Sequence, residues 1–491
     1  VDIGSLGGSS TTAYGINNYG QVVGFSYLSG GSYRAFLYSG GPMTDLGTLP
    51  CAVFIPDTTT NSRAYGINNY GQVVGESDTF LIAPSGDPTI VQHAFLWSGG
   101  PMTDLGTLPC AVFIPDTTTN SRAYGINNYG QVVGESDTFL IAPSGDPTIV
   151  QHAFLWSGGT MSDLTPTVPT DEPSSAAYAI NDNGQVVGYM PALVVTNGVS
   201  CTPDMAFLYS GGTMTSLGTL SLDNGQASNC TCSIFSCGCG INTHGVVVGY
   251  SWDCGLQFPF FYTNGTMTNL LFQGFVPIGN CAYGINGSTN FVGDMMIEIP
   301  PSVLPPSGAA VLHAFLFLYT NSTMLDLGTL SAYADAGSIA YGINEYDEVV
   351  GSASTSSGTV DAFLYYDHGP MLDLNGLIIN RINISLTEAR GINDSGQIIA
   401  NGANGHAYLL TPTPPAPWLV QPNFLSITQT GGTVNFTWST AVGPTYQVQY
   451  NSDLTSTNWN NLGSPSIATN YTMSASDSIT DLQRFYRVLM Q

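Results

Sequence analysis

The sequence predicts an all-β protein: an eight-bladed β-propeller of four-stranded blades, closed by its own N-terminal strand and followed by a β-sandwich. Three observations predict it. The phrase AYGINNYGQVVG stands at residues 13–24 and returns unchanged at 64–75 and 123–134. Each return opens a block of short apolar segments parted by Gly- and Asn-rich turns. The chain begins with what reads as the last segment of a block, and its final block stops one segment short.

Looser copies of the phrase begin at Ala177, Gly238, Ala282, Ala340 and Ala389, making eight, with starts 44 to 61 residues apart. Periods of this size belong to stacked or circular repeat architectures. Within a block the first segment is AYGIN and the second GQVVG. The third is RAFLY, HAFLW or a relative, and the fourth is MTDLGTL or a relative. Segments this short, rich in Val, Ile, Phe and Tyr and bounded by Gly and Asn, are strands. NNYG and NDNG join the first two as tight hairpins, because Asn and Gly accept positive φ. SGGP, SGGT, TNGT and TNST turn the third strand into the fourth. Helical periodicity is absent from the repeats. Four antiparallel strands in about 50 residues describe a propeller blade.

The ends supply the ring. VDIGSLGG, with Val1, Asp2, Ile3 and Leu6, reads as the missing fourth strand of the block that ends at HAYLL, residues 406–410. The expected domains are therefore a propeller over 1–410, a Pro-rich linker over 411–422, and a sandwich over 423–491. In that last part Val434, Phe436 and Trp438 alternate on one strand and Tyr446, Val448 and Tyr450 on another, with Trp438 the expected core tryptophan. Within the phrase, Ala13, Ile16, Val22 and Val23 are expected to pack between blades, and Asn17 and Asn18 to form the hairpin.

Composition narrows the partners. Charged residues are 8% of the 491, against about 25% in ordinary globular chains, and the formal net charge is −26. All basic residues are arginine. Such a chain lacks the cationic surface that binds nucleic acid or an anionic membrane, and no apolar run is long enough for insertion. Cations, neutral glycans and further copies of the same chain remain. The absence of a leading Met reads as a mature end left by a removed secretory signal. Residues 39–100 repeat letter for letter at 98–159, as a structural module would.

Nine cysteines point to an oxidising compartment. Cys201, Cys230, Cys232, Cys237, Cys239, Cys254 and Cys281 are the disulfide candidates. Their C-x-C spacings fit a tied loop better than a zinc site.

The wording A-x-x-IN-x-x-G-QVVG, then HAF(L)(W/Y), then M-x-DLGTL, resembles the HAF-type repeat of bacterial extracellular proteins, across about 410 of the 491 residues. The resemblance implies secretion and a repeat architecture. It transfers no catalytic motif. Residues 423–491 are similar in patterning to immunoglobulin-like and fibronectin-III-like modules.

No catalytic residue, cofactor site or metal site is assigned, and calcium alone is left open as a ligand. The repeated histidines His93, His152, His313 and His406 are expected to make strand-end hydrogen bonds. The repeated acids Asp2, Asp45, Asp104, Asp163, Asp326 and Asp373 are expected to bond turn N–H groups. Asn264 and Asn321 are the candidate glycosylation positions among eight sequons. The expected function is a non-enzymatic extracellular structural or adhesive protein. It would assemble as a homo-oligomer or polymer by strand exchange or by docking of the sandwich on a neighbouring propeller. The alternatives are a glycan-binding propeller, stacking sugars on Trp97 and Trp156, and a polysaccharide-active enzyme using the fourth-strand acids.

Overall fold

A computed structural model describes residues 1–491 except 51–59, 83–87, 110–118, 142–146, 166–173, 197–198, 221–233, 254, 271–274, 299–309, 367–368, 380–383, 414–421, 423, 441–444, 454–457, 469–471, 480–482 and 491. The chain divides into two compact units, Val1–Thr411 and Pro412–Gln491. Both are built of antiparallel strands.

The first unit is a series of sheets, each a simple meander. The first joins Thr11–Ile16, Val22–Tyr27, Tyr33–Tyr38 and Thr44–Asp45 in that order. Six further four-stranded sheets follow the same order, beginning at Ser62, Ser121, Ala176, Ile234, Phe275 and Ser338. The eighth has three strands, Leu386–Ile392, Ile398–Gly402 and Ala407–Leu410.

The N-terminus completes that eighth sheet. Asp2 bridges Tyr408 in antiparallel fashion. The Val1 amine donates to the Leu409 carbonyl at 2.7 Å, Leu409 N–H donates to Val1 O, and Ile3 N–H donates to Ala407 O. Ile3 is buried, and Leu6 packs against the same cluster. Closure of the eighth sheet is thus made within one chain.

Each sheet hides its apolar face against the next. Val23, Ala35 and Leu37 of the first sheet share a cluster with Ala64, Val73 and Phe95 of the second. Equivalent clusters lie between every later pair of neighbours. The last sets Ile399, Ala407 and Leu409 of the eighth sheet against Ala13, Val22 and Phe36 of the first. No single central core exists in this unit; the apolar area is divided among the sheet–sheet seams.

The repeated phrase produces a bulge. In all eight first strands the register slips between the Ala and Gly positions, as at Ala13/Gly15. A bulge re-aims the extra residue, here Tyr14 and its equivalents. It also presses the strands together. A Cβ on Gly24 would stand 1.9 Å from Thr12 O, so the final glycine of QVVG has no room for a side chain.

Among the described residues two short turns depart from the strand-only expectation for the repeats: a 3-10 turn at Tyr319–Asn321 and a helical turn after Asp373. Leu374–Leu377 is a single α-helical turn, with the Asp373 side chain accepting from Asn375 N–H as its N-cap. Elsewhere a glycine at positive φ follows Asp-Leu, as at Gly47, Gly106 and Gly328. DLNGL has Asn375 there instead, and the backbone continues into a helical turn.

The second unit has two three-stranded sheets, ordered Phe424–Thr430, Thr433–Ser439, Thr472–Ser478 and Asn460–Ile467, Thr445–Asn451, Phe485–Met490. Val434, Phe436 and Trp438 of one meet Tyr446 and Val448 of the other in a shared core.

Candidate functional site

The asparagine that ends each first strand does more than turn a hairpin. Asn17 Oδ1 accepts from Tyr19 and Gln21 N–H. Its Nδ2 donates to Gln21 Oε1 and also to Asn68 O of the next sheet, at 2.9 Å. The same inter-sheet bond runs from Asn68 to Asn127, to Asn181, to Asn242, to Asn286, to Asn344, to Asn393, and from Asn393 back to Asn17 O. Eight side chains make a closed cycle. These residues flank a cavity of about 340 Å³, lined by the Ile-Asn ends of the first six first strands and by Glu345. Its lining includes Asp182 and Glu345, each accepting a hydrogen bond from a neighbouring hairpin's N–H. Beside it the hairpin tyrosines Tyr19, Tyr70, Tyr129 and Tyr346 are exposed.

The bulged residues form a second row. Ring centroids of Tyr14, Tyr65, Tyr124 and Tyr178 follow one another at 5.7, 5.9 and 5.5 Å. Tyr283 and Tyr341 are 6.4 Å apart, and the Arg390 guanidinium lies 4.7 Å from the Tyr341 ring. Burial raises the Tyr65, Tyr124, Tyr178 and Tyr283 hydroxyls above their ordinary range. Carboxylates on the second strands meet this row: Tyr65 donates to Glu76 and Tyr124 to Glu135. Arg122 joins both acids, at 2.8 and 3.2 Å.

In the fifth sheet the row's tyrosine is replaced by Cys239. Its Sγ lies 3.9 Å from Cys281 Sγ of the sixth sheet, and Cys237 hydrogen-bonds to it from the same strand. Three of the disulfide candidates, Cys237, Cys239 and Cys281, stand here as free thiols. The sulfurs of Cys239 and Cys281 stand well beyond the ~2.05 Å of a bond, and Cys237 and Cys239 flank a bulge on one strand. Cys201 is disulfide-bonded. Cys230, Cys232 and Cys254 lie outside the described residues.

The repeated histidines and acids find one another. His93 pairs with Asp104, His152 with Asp163, His313 with Asp326, and His406 with Asp2 across the chain ends, at 2.7 to 3.0 Å. All six repeated acids also accept a backbone N–H two residues on. Burial pushes the Asp104 carboxyl up, but the His93 hydrogen bond, its charge and the Gly106 N–H together hold it below the usual range. Each acid is bound within its own sheet, to the N–H two residues on and, in four of the six, to that sheet's histidine. Trp97 and Trp156 are partly buried against the seams, which leaves them poor stacking faces. Asn264 is exposed on a tight turn at φ 50, and Asn321 is exposed at the end of a short 3-10 turn.

The serines were not singled out from sequence. Ser62 accepts from Ala35 N–H and donates to Gly47 O, fastening the second sheet to the first; Ser121, Ser236 and Ser338 repeat this. The signal was present in SRAYG and SIAYG, two residues before the bulge.

No family model matches the chain, and no curated protein matches it. Among solved structures it is similar to a puromycin-hydrolyzing peptidase of Mycobacterium tuberculosis. That match has 10% identity and a TM-score of 0.36, covering 77% of this chain and 58% of that one. It is also similar to PorZ, a surface component of the type-IX secretion system of Porphyromonas gingivalis. Here the identity is 11% and the TM-score 0.31, covering 98% of this chain and 75% of that one. Likenesses this loose carry no functional argument. Among the described residues no helix is long and apolar enough to cross a membrane.

Proposed function

We propose that residues 1–411 are an eight-bladed β-propeller of the HAF-repeat kind, and that the chain is a non-enzymatic extracellular structural or adhesive protein. The closed cycle of eight asparagine-to-carbonyl bonds supports the ring reading. The observation that carries the function is saturation. Across the repeats the recurring Asn, Ser, His and Asp side chains are engaged in bonds that hold strands, turns and neighbouring sheets. Among the described residues, a frame that consumes its recurring polar groups in this way leaves no repeated reactive constellation. The disulfide at Cys201 fits an oxidising compartment.

Assembly is the accompanying proposal. Strand exchange would have to displace Val1–Ile3 from their own sheet, where they are paired. Docking of the immunoglobulin-like second unit on another copy needs no such opening. A chain with only 8% charged residues and several exposed tyrosines has a surface that costs little to desolvate. Electron microscopy and light scattering should therefore show filaments or sheets for residues 1–491 and dispersed particles for residues 1–411. Dispersed full-length protein at high concentration would end the assembly reading. Fibres from the shortened chain would end the docking route.

A further inference from the structure

We propose that Cys239 and Cys281 form a thiol–disulfide exchange site that reacts with low-molecular-weight disulfides and closes into a bond between the fifth and sixth sheets. Three observations carry it. The two sulfurs already stand 3.9 Å apart, on the first strands of adjacent sheets. Cys239 occupies the bulged position that six of the other seven sheets give to tyrosine and the eighth gives to Arg390, so a small side chain stands where a long one is the rule. Cys239 is also the partly exposed member of the trio, whereas Cys237 and Cys281 are each only 4% exposed. The row is open to solvent on this side, since Tyr178 and Tyr283, the nearest rings in the row, are both more than a third exposed.

The surroundings divide the roles. The Cys237 and Cys281 thiols beside Cys239 hold its thiol well below the usual range. Burial first, then the bond to Cys239, pushes Cys281 up. The attacking group is therefore Cys239, because the thiolate is the nucleophile. Cys281 lies directly opposite Asp294 on the ladder. Asp294 is 2% exposed, and its Oδ1 has no hydrogen-bond partner among the described residues. That places a proton acceptor beside the second thiol.

The exchange balances in two steps. The Cys239 thiolate attacks one sulfur of the incoming disulfide, whose S–S bond breaks. One half stays on Cys239; the other leaves as a thiolate and takes a proton from water. Cys281 then gives its proton to Asp294 and attacks the Cys239 sulfur; that S–S bond breaks, and the second half leaves as a thiolate that is protonated by Asp294 or water. Two protein thiols are oxidised to one disulfide, and the small disulfide is reduced to two thiols.

The test uses the folded full chain with 2-hydroxyethyl disulfide, followed by acid trapping, digestion and mass spectrometry. A Cys239–Cys281 crosslink is expected. In Cys281→Ser the reaction should stop at a mixed disulfide on Cys239. In Cys239→Ser, Cys237 and Cys281 should stay unmodified, with circular dichroism confirming that each variant is folded. Should Cys239→Ser fail to fold, the wild-type and Cys281→Ser products still decide. A Cys239 that reacts only after denaturation, or that pairs with Cys237, overturns the proposal.

Discussion

Asp294 is buried on the second strand of the sixth sheet with Tyr283 of the first strand as its side-chain hydrogen-bond donor, and burial pushes its carboxyl up to about 7. The unfolded chain releases this proton near pH ~4. Between those values the folded state holds more protons than the unfolded one, so stability contributed by this group falls as pH rises through that window. Asp294→Asn removes the titration. The variant should match the wild type near pH 4 and exceed it at pH 7.5 by at most about 4 kcal/mol, read as a shift in urea midpoint. A difference that does not change with pH would show that the carboxyl is not carrying this cost. Asp104 and Asp326 act in the opposite sense. Their pKa values are depressed, so the stability they contribute is present above the unfolded carboxylate range and lost as pH falls through the folded value.

At the scale of the element, much was legible because it is local. Strand composition, the Asn-Gly hairpins and the alternation around Trp438 are set by residues a few positions apart, and the structure has strands at each of these places. What was not legible are the bonds between sheets. Asn17 reads adequately as a hairpin residue, so nothing in its own neighbourhood announces that its amide reaches Asn68, 51 residues on. Ser62 reaches back to Ala35 in the same way, and Cys239 meets Cys281 only because two sheets share a seam. The duplicated block offers a test of these links. Asn127 Nδ2 donates to Gln131 Oε1 and to Asn181 O. Asn127→Asp keeps the acceptor for Tyr129 and Gln131 N–H but sets carboxylate oxygen against two acceptors. Leaving buried groups unpaired costs about 1–3 kcal/mol each, so chemical denaturation should show a loss of roughly 2–5 kcal/mol. Asn69→Asp, at a half-buried hairpin position whose side-chain oxygen accepts from Asn18 N–H, keeps that acceptor and should change little. Equal losses in the two variants would show that the inter-sheet bond is not what stabilises the hairpin.

For the first unit as a whole, the decisive feature is how the eighth sheet meets the first. Seven sheets take all four strands from consecutive sequence, and any of their seams could form in an open stack. The eighth depends on a partner about 400 residues away: His406 pairs with Asp2, Leu409 with Val1, and Asn393 with Asn17. Deleting residues 1–8 removes the buried Ile3, the Leu6 contact, three backbone bonds to the eighth sheet, the Gly8 N–H bond to Tyr27 O and one ion pair. A buried Ile removed from a core is worth about 2–5 kcal/mol, and each backbone bond about 1 kcal/mol net, so a clear fall in melting temperature is expected. The deletion also bares Ala407–Leu410 as an edge, with unpaired groups that accept a strand from any source. Light scattering should therefore show added self-association, and the free peptide VDIGSLGG should reverse both effects. Had the N-terminal residues been an incidental overlay on a stack that is stable without them, the shortened chain would melt where the full one does and the peptide would leave it unchanged.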